Sequence, residues 1–278
     1  MKTMPELRLD KTSHPIVYEV NTRVLVNELK QRLHEPVTLA TMPDEILDEW
    51  AGLGFDAIWM MGVWTTGTIG LNIARTHEGL LKDFKQVLPD FCEEDVIGSP
   101  YAVRAYSVSP DLGGNQALLE LRRRLRERGV GLILDFVGNH TARDHQWVAK
   151  HPEYYVNGQE DDDVRRPEYY FKAKTAKGHA VLAFGRDPNY PGWTDTVQVN
   201  ILNPGTRREV LATLKKIAQM CDGVRCDMAM LLLNDIFTKT WNEAKVLPAD
   251  QPPGGEFWAE ATRAVKLEMP DFRQNLIF

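Results

Sequence analysis

Apolar positions along the chain fall into two alternating patterns. A fourth short strand is read at the more polar 222–227, and short runs that are apolar nearly throughout occupy residues 16–20, 55–61 and 130–137. Such runs read as strands buried on both faces, the habit of a parallel sheet. Between them lie stretches with helical spacing, over 43–52, 78–87, 116–128, 204–221, 231–244 and 256–268. Pro43 and the acids after it suit a first helical turn, and Gly52 or Gly54 a stop. Asn115 is placed to cap a helix whose stripe is Leu118, Leu121 and Leu125, with Gly129 beyond its basic end. Leu211, Leu214, Ile217 and Ala218 form a second stripe. Gly98-Ser99-Pro100, residues 111–114 and the Pro252-Pro253-Gly254-Gly255 tract signal turns. Residues 271–278 open a fifth strand. Strand, helix, strand in repetition predicts an α/β fold with a parallel sheet.

Residues 141–200 break this rhythm. They are rich in charge, Pro and Gly, and carry Trp147, Tyr154, Tyr155, Tyr169, Tyr170 and Trp193. A connection this long in a compact domain forms a functional loop or a small subdomain. Its acidic run, Glu160 to Asp163, reads as solvated loop. The expected organisation is therefore 1–140 with strands one to three, 141–200 as an insertion, and 201–278 with strand four and the start of strand five.

At 278 residues the chain has the length of one α/β barrel or two ordinary domains. Hydrophobic residues at 43% and charged residues at 26% exclude global disorder. A net charge of −6 argues against nucleic acid or an anionic membrane as partner, because no basic excess exists to neutralise phosphate. Three cysteines, Cys92, Cys221 and Cys226, are too few for a disulfide framework and read as buried thiols. The first fifteen residues lack the apolar core of a secretory signal, and no apolar run nears the roughly 18 residues of a membrane span. A cytoplasmic location is the expectation.

In parallel α/β folds, side chains at the carboxyl ends of strands face the site. Here those ends carry Trp59 and Trp64, then Asp135, Asn139 and His140, then Arg225 and Asp227. Arg225 and Asp227 alternate, so they share one face of a strand. A guanidinium beside a carboxylate favours its ionised form. Such a carboxylate can attack a sugar's anomeric carbon, or the pair can simply order the strand end. Asp135, Asn139 and His140 fit either a metal cluster, with Asn139 an oxygen ligand, or a hydrogen-bonding wall for a polyhydroxylated ligand. Tyr101 and Tyr106 can stack on sugar faces or pack in a core.

Five segments together resemble glycoside hydrolase family 13, the α-amylase family. They are GFDAIWMMGVW, SPYAVRAYSVSPDLGG, DFVGNH, DTVQVNILNP and GVRCDMAM, in the family's order. The resemblance implies a (β/α)8 TIM-barrel type, incomplete here at about the first four to five strands, with a small B-domain insertion after strand three. It implies Asp227 as nucleophile and Arg225 as the group that holds it. It also implies sugar contacts from Tyr101 and His140, organisation of the site by Asp135, and an α-glucan or small α-glucoside as substrate. Asn139 matches a position that ligates structural calcium in many members. Leu231 stands where many members have a histidine, which weakens that calcium site. The family's acid/base glutamate sits at the end of strand five. Glu256, Glu260 and Glu268 precede that strand on a helical pattern. The sequence is thus expected to stop short of its general acid, as a truncated domain without full activity. The rival expectations are a non-catalytic carbohydrate-binding remnant and a metal-dependent hydrolase built on Asp135, His140 and Asp227.

Overall fold

The computed structural model describes residues 5–11, 14–244, 246 and 254–276. A short helix, Arg8–Lys11 (α1), precedes the strand Val17–Asn21 (β1) and the helices Thr22–Leu33 (α2) and Asp44–Gly52 (α3). Ala57–Met61 (β2) follows, then Trp64–Thr66 (β3), Thr68–Thr76 (α4), Glu78–Val87 (α5), Val103–Val108 (β4) and Gly114–Arg126 (α6). Gly131–Val137 (β5) leads into His140–Ala142 (β6), Gln146–Lys150 (α7), Asp162–Arg165 (α8) and the strands Tyr170–Thr175 (β7), Gly178–Ala183 (β8) and Thr196–Gln198 (β9). Pro204–Ala218 (α9), Gly223–Asp227 (β10), Asn234–Thr240 (α10), Phe257–Glu268 (α11) and Arg273–Leu276 (β11) complete the order.

The main sheet runs β1-β2-β5-β10-β11, and every pair is parallel. This is the parallel sheet expected from the apolar runs and the incomplete barrel type that the resemblance implies. Every residue of β5 is buried, which explains a sequence that is apolar apart from Asp135. One face of the sheet packs on the helices in a large core that includes Leu118, Leu121, Leu214 and Phe257. The other face carries a much smaller cluster of Leu7, Leu9, Ala57, Trp59 and Ile133. Leu7 and Leu9 come from the N-terminal segment, which lies across the start of the strands. Arg8 N donates to Gly129 O (2.9 Å), and Arg273 Nη2 donates to Leu9 O (3.0 Å).

The segment between β5 and β10 leaves and returns through antiparallel β6 and β9. Its buried apolar residues, Tyr155 and the β7–β8 hairpin's Phe171 and Leu182 among them, belong to the same continuous core as the helix-covered face of the sheet.

Several local expectations are corrected. Asn115 does not cap α6. Gly113, at φ +93°, precedes the helix, and Asn115 Oδ1 accepts from Val108 N instead (2.9 Å). Residues 231–244 are not one helix but a 3₁₀ turn, Ala229–Leu232, followed by α10. Helices α2 and α4 carry no expectation from the periodicity. Cys221 and Cys226 are buried thiols, but Cys92 is exposed. The acidic run is not all solvated, because Asp162 is buried and pairs with Arg166 (2.8 Å). Residues 252–253 of the turn tract and 277–278 of the expected fifth strand lie outside the described residues.

At the amino end of β10, buried Asp222 ties several elements together. Its Oδ1 accepts from Arg122 (Nη2, 2.8 Å) and Arg126 (Nε, 3.0 Å) on α6, and its Oδ2 from Leu132 N (2.9 Å). Truncation would strand two guanidinium groups and a strand N–H. Asp222→Ala is expected to lower unfolding free energy by about 3–5 kcal/mol, measured as a fall in the urea midpoint at unchanged slope.

Candidate functional site

The carboxyl ends of β2, β5 and β10 meet because their registers align. Asp135 on β5 sits opposite Arg225 on β10, and Val137 opposite Asp227. Asp135, Arg225 and Asp227 therefore share one face. Asp135 is buried. Its Oδ1 accepts from Trp59 Nε1 (3.1 Å) and its Oδ2 from Gly62 N (2.9 Å). Trp64 Nε1 donates to its backbone carbonyl (2.8 Å). Gly62 turns the chain at φ +78°, a conformation that disfavours any side chain, and so presents that N–H.

Arg225 Nη1 lies 2.5 Å from Asp227 Oδ1 and 3.8 Å from Asp135 Oδ1. Its guanidinium carbon sits 5.0 Å from the centre of the Trp59 ring and 5.3 Å from that of Tyr101. One cation thus joins two buried carboxylates and two aromatic faces. Immediately after Asp227, Met228 takes a left-handed conformation at φ 50°. That backbone costs a non-glycine residue roughly 1–3 kcal/mol, and such strain gathers at functional sites.

Tyr101 is half-buried. Its hydroxyl is pushed up to about 12, chiefly by burial and then by Asp135, so it stays protonated at neutral pH. His140 is buried, with its ring edge-on to Trp193 at 5.2 Å. Burial lowers its pKa against the pull of Asp227 and Asp195, which favours a neutral imidazole able to donate at one nitrogen and accept at the other. Asn139 Oδ1 accepts from Gln198 Nε2 (2.9 Å).

Calcium takes six to eight oxygen ligands. The oxygen of Asn139 is already engaged, and among the described residues no three His, Cys, Asp or Glu side chains converge as a metal site. The donor set does not fit that ion. Tyr106, the other candidate stacking residue, is a packing residue. Its hydroxyl accepts from Val137 N (3.0 Å) and donates to Val137 O (2.9 Å), closing the end of β5, while its ring packs on Trp64 and Phe136.

The sequence pattern placed Asp135, His140, Arg225 and Asp227 at or just beyond strand ends and Tyr101 after a turn, and the fold brings Asp135, Asp227 and Tyr101 around the Arg225 guanidinium. Two contributors carried no expectation. Gly62 acts through its N–H, which no side-chain pattern reveals. Trp193 was visible only as one aromatic among several in the insertion.

A parallel sheet whose neighbouring strands follow chain order, with polar side chains at their carboxyl ends, is the arrangement of the (β/α)-barrel class. The α-amylase catalytic-domain profile matches residues 45–274. The chain belongs to the α-amylase family, and is by family a glycoside hydrolase. It is 22% identical over 231 residues to the α-amylase MalA of Haloarcula japonica, covering 83% of this chain and 27% of that protein. Among solved structures, an α-amylase from Lactobacillus plantarum superposes with a TM-score of 0.57 at 20% identity, over 98% of this chain and 46% of the other. A debranching enzyme from Nostoc punctiforme gives a TM-score of 0.57 at 17% identity, over 99% and 50%. The chain therefore spans about a quarter of that curated relative and about half of those solved structures. No helix among the described residues is long and apolar enough to cross a membrane.

Burial raises the Asp135 carboxyl to about 6, outweighing the Gly62 N–H and Arg225. The unfolded carboxyl titrates near 3.9. The folded state therefore holds this proton more tightly, and the stability it lends is complete below about pH 4 and lost as pH rises through about 6. Urea unfolding of wild type and Asp135→Asn across pH is expected to show the stability difference, wild type minus variant, falling between pH 4 and 6 and level above about 7.

Proposed function

We propose that this chain carries the sugar-donor side of an α-glucoside site that works by retaining double displacement. The observation that carries the reading is the grouping of Asp227 and Asp135 about Arg225, with Tyr101 beside the same guanidinium. In this reading Asp227 is the nucleophile. One of its oxygens bonds to the anomeric carbon as the bond to the leaving group breaks, giving a covalent glycosyl ester. Arg225 orients Asp227 by holding Oδ1. Asp135 is a positioning residue: both of its oxygens are taken by N–H donors, and it anchors Arg225 from beneath. Tyr101 offers a ring face, and neutral His140 offers hydrogen bonds to sugar hydroxyls.

Retaining chemistry also needs a carboxyl group about 5–5.5 Å from the nucleophile to protonate the leaving oxygen. This reading assigns that role to no described residue. The substrate class is an α-glucan or small α-glucoside. Residues 1–140 and 201–278 supply the site's strands, and 141–200 is the B-domain-like insertion whose Trp193 backs His140.

Fluoride leaves without protonation, so 5-fluoro-α-D-glucosyl fluoride tests the nucleophile alone. The Asp227 oxygen to anomeric carbon bond forms as the carbon–fluorine bond breaks and fluoride departs. Peptide mass analysis is expected to find the fluoroglucosyl adduct on Asp227 in wild type and no adduct in Asp227→Asn. In Tyr101→Ala the labelling rate is expected to fall at least about tenfold, a loss of about 1.4 kcal/mol. Label on another residue, or equal labelling of the Asp227 variant, contradicts the assignment.

A further inference from the structure

Gln198 is fully buried and lies opposite His140 in the β6–β9 pairing. Its Nε2 is 2.9 Å from Asn139 O, 2.9 Å from Asn139 Oδ1 and 3.2 Å from Val199 O. Its Oε1 faces Arg186 N and Asn139 Nδ2, each at 3.4 Å. A backbone carbonyl only accepts and a backbone N–H only donates, so these partners settle which end of the amide is which. One side chain thus joins three segments: the residue before β6, the end of β9 and the chain beyond β8.

Three carbonyl-type oxygens turned toward one point are the ligands a hard cation takes. Here that point holds an NH2 group of the chain itself. Its grip extends to His140. Asn139 Oδ1 is committed to Gln198, so the other end of that amide, Nδ2, is the one that lies 3.3 Å from His140 Nδ1. An NH2 group can only donate, so Nδ1 accepts and the ring proton sits on Nε2. The ring also donates to the Tyr101 backbone, and with Nδ1 accepting, the donor is Nε2. A line of hydrogen bonds therefore runs from Gln198 through Asn139 and His140 to Tyr101.

We infer that Gln198 is a positioning residue of the sugar site: its amide stands where a cation would, and through Asn139 it fixes the His140 proton on Nε2. The inference rests on the α-glucoside reading and names what holds that site's His140 and Tyr101 without an ion. Gly185 supports the same arrangement, since a Cβ there would lie 3.0 Å from His140 Cβ and 2.6 Å from Thr196 Oγ1.

Three measurements on the full chain test this. Nitrogen NMR of histidine-labelled protein at neutral pH, assigned with His140→Gln, is expected to show the proton on Nε2 in wild type. In Gln198→Met, which keeps the length of the side chain without its donor, the proton is expected to shift toward Nδ1. The melting temperature of wild type is expected to be the same in EDTA and in millimolar calcium chloride. Gln198→Glu replaces the NH2 with a carboxylate oxygen among three carbonyl oxygens. It is expected to melt lower than wild type in EDTA and to gain at least about 5 °C in calcium. Labelling of Asp227 by 5-fluoro-α-D-glucosyl fluoride is expected to slow at least about fivefold in Gln198→Met, the worth of about one neutral hydrogen bond.

A wild-type proton on Nδ1, a wild type that loses stability in EDTA, or a Gln198→Glu variant indifferent to calcium overturns the inference. None of these uses a sugar, so each leaves the α-glucoside reading standing. Undiminished labelling in Gln198→Met overturns the positioning role alone. Absence of label in wild type overturns the α-glucoside reading, and the positioning role with it.

Discussion

The buried carboxylate of Asp135 sets the terms for everything around it. A carboxylate taken out of water must find hydrogen-bond donors, and each unmet bond costs about 1–3 kcal/mol. Its donors come from outside its own strand: the indole of Trp59 on β2 and the N–H of Gly62 beyond it. The Trp64 indole adds a bond to its carbonyl. Satisfying one group thus fixes β2 against β5 and sets the turn that follows β2. The same group faces Arg225 across the β5–β10 register, and Arg225 in turn holds Asp227. The atoms that make the sheet's carboxyl end stable are the atoms that aim the candidate nucleophile.

The two faces of the sheet divide the labour. The helix-covered face is a continuous apolar core, and it holds the strands in register. The other face has a much smaller apolar cluster, in which Leu7 and Leu9 join Ala57, Trp59 and Ile133. Toward the carboxyl ends it turns polar and aromatic. Because side chains alternate between the two faces, the positions that carry charge here are not those that build the helix-covered core. One set of positions can therefore serve chemistry without loosening the core.

Much of this was legible in the sequence because burial on both faces leaves a plain mark. The run Gly131 to Val137 could hardly be anything but a central strand, and Asp135 within it had to be a satisfied or functional acid. What was not legible depended on tertiary demand. Asn115 has the chemistry of a cap, but Val108 N claims its oxygen. Tyr101 and Tyr106 are five residues apart and alike in type, yet one faces Arg225 and the other closes the end of β5. Only the path of the chain between them separates those roles. Helix α2 escaped notice because its apolar residues do not keep to one face; Val24 is half exposed while Val26 and Leu29 are buried. Helix α5 presents the converse case, a readable periodicity whose apolar side is left uncovered.

The N-terminal segment has a consequence for how the protein comes into being. Leu9 accepts a hydrogen bond from Arg273, 264 positions later. At about 5–20 residues per second, a ribosome needs on the order of 13–53 seconds to add that interval. Throughout that time Leu7 and Leu9 lack one of the strands their segment finally lies against. The segment can lie on β2 and β5 as soon as those strands exist, but the bond that ties it to β11 forms only after Arg273 has been made.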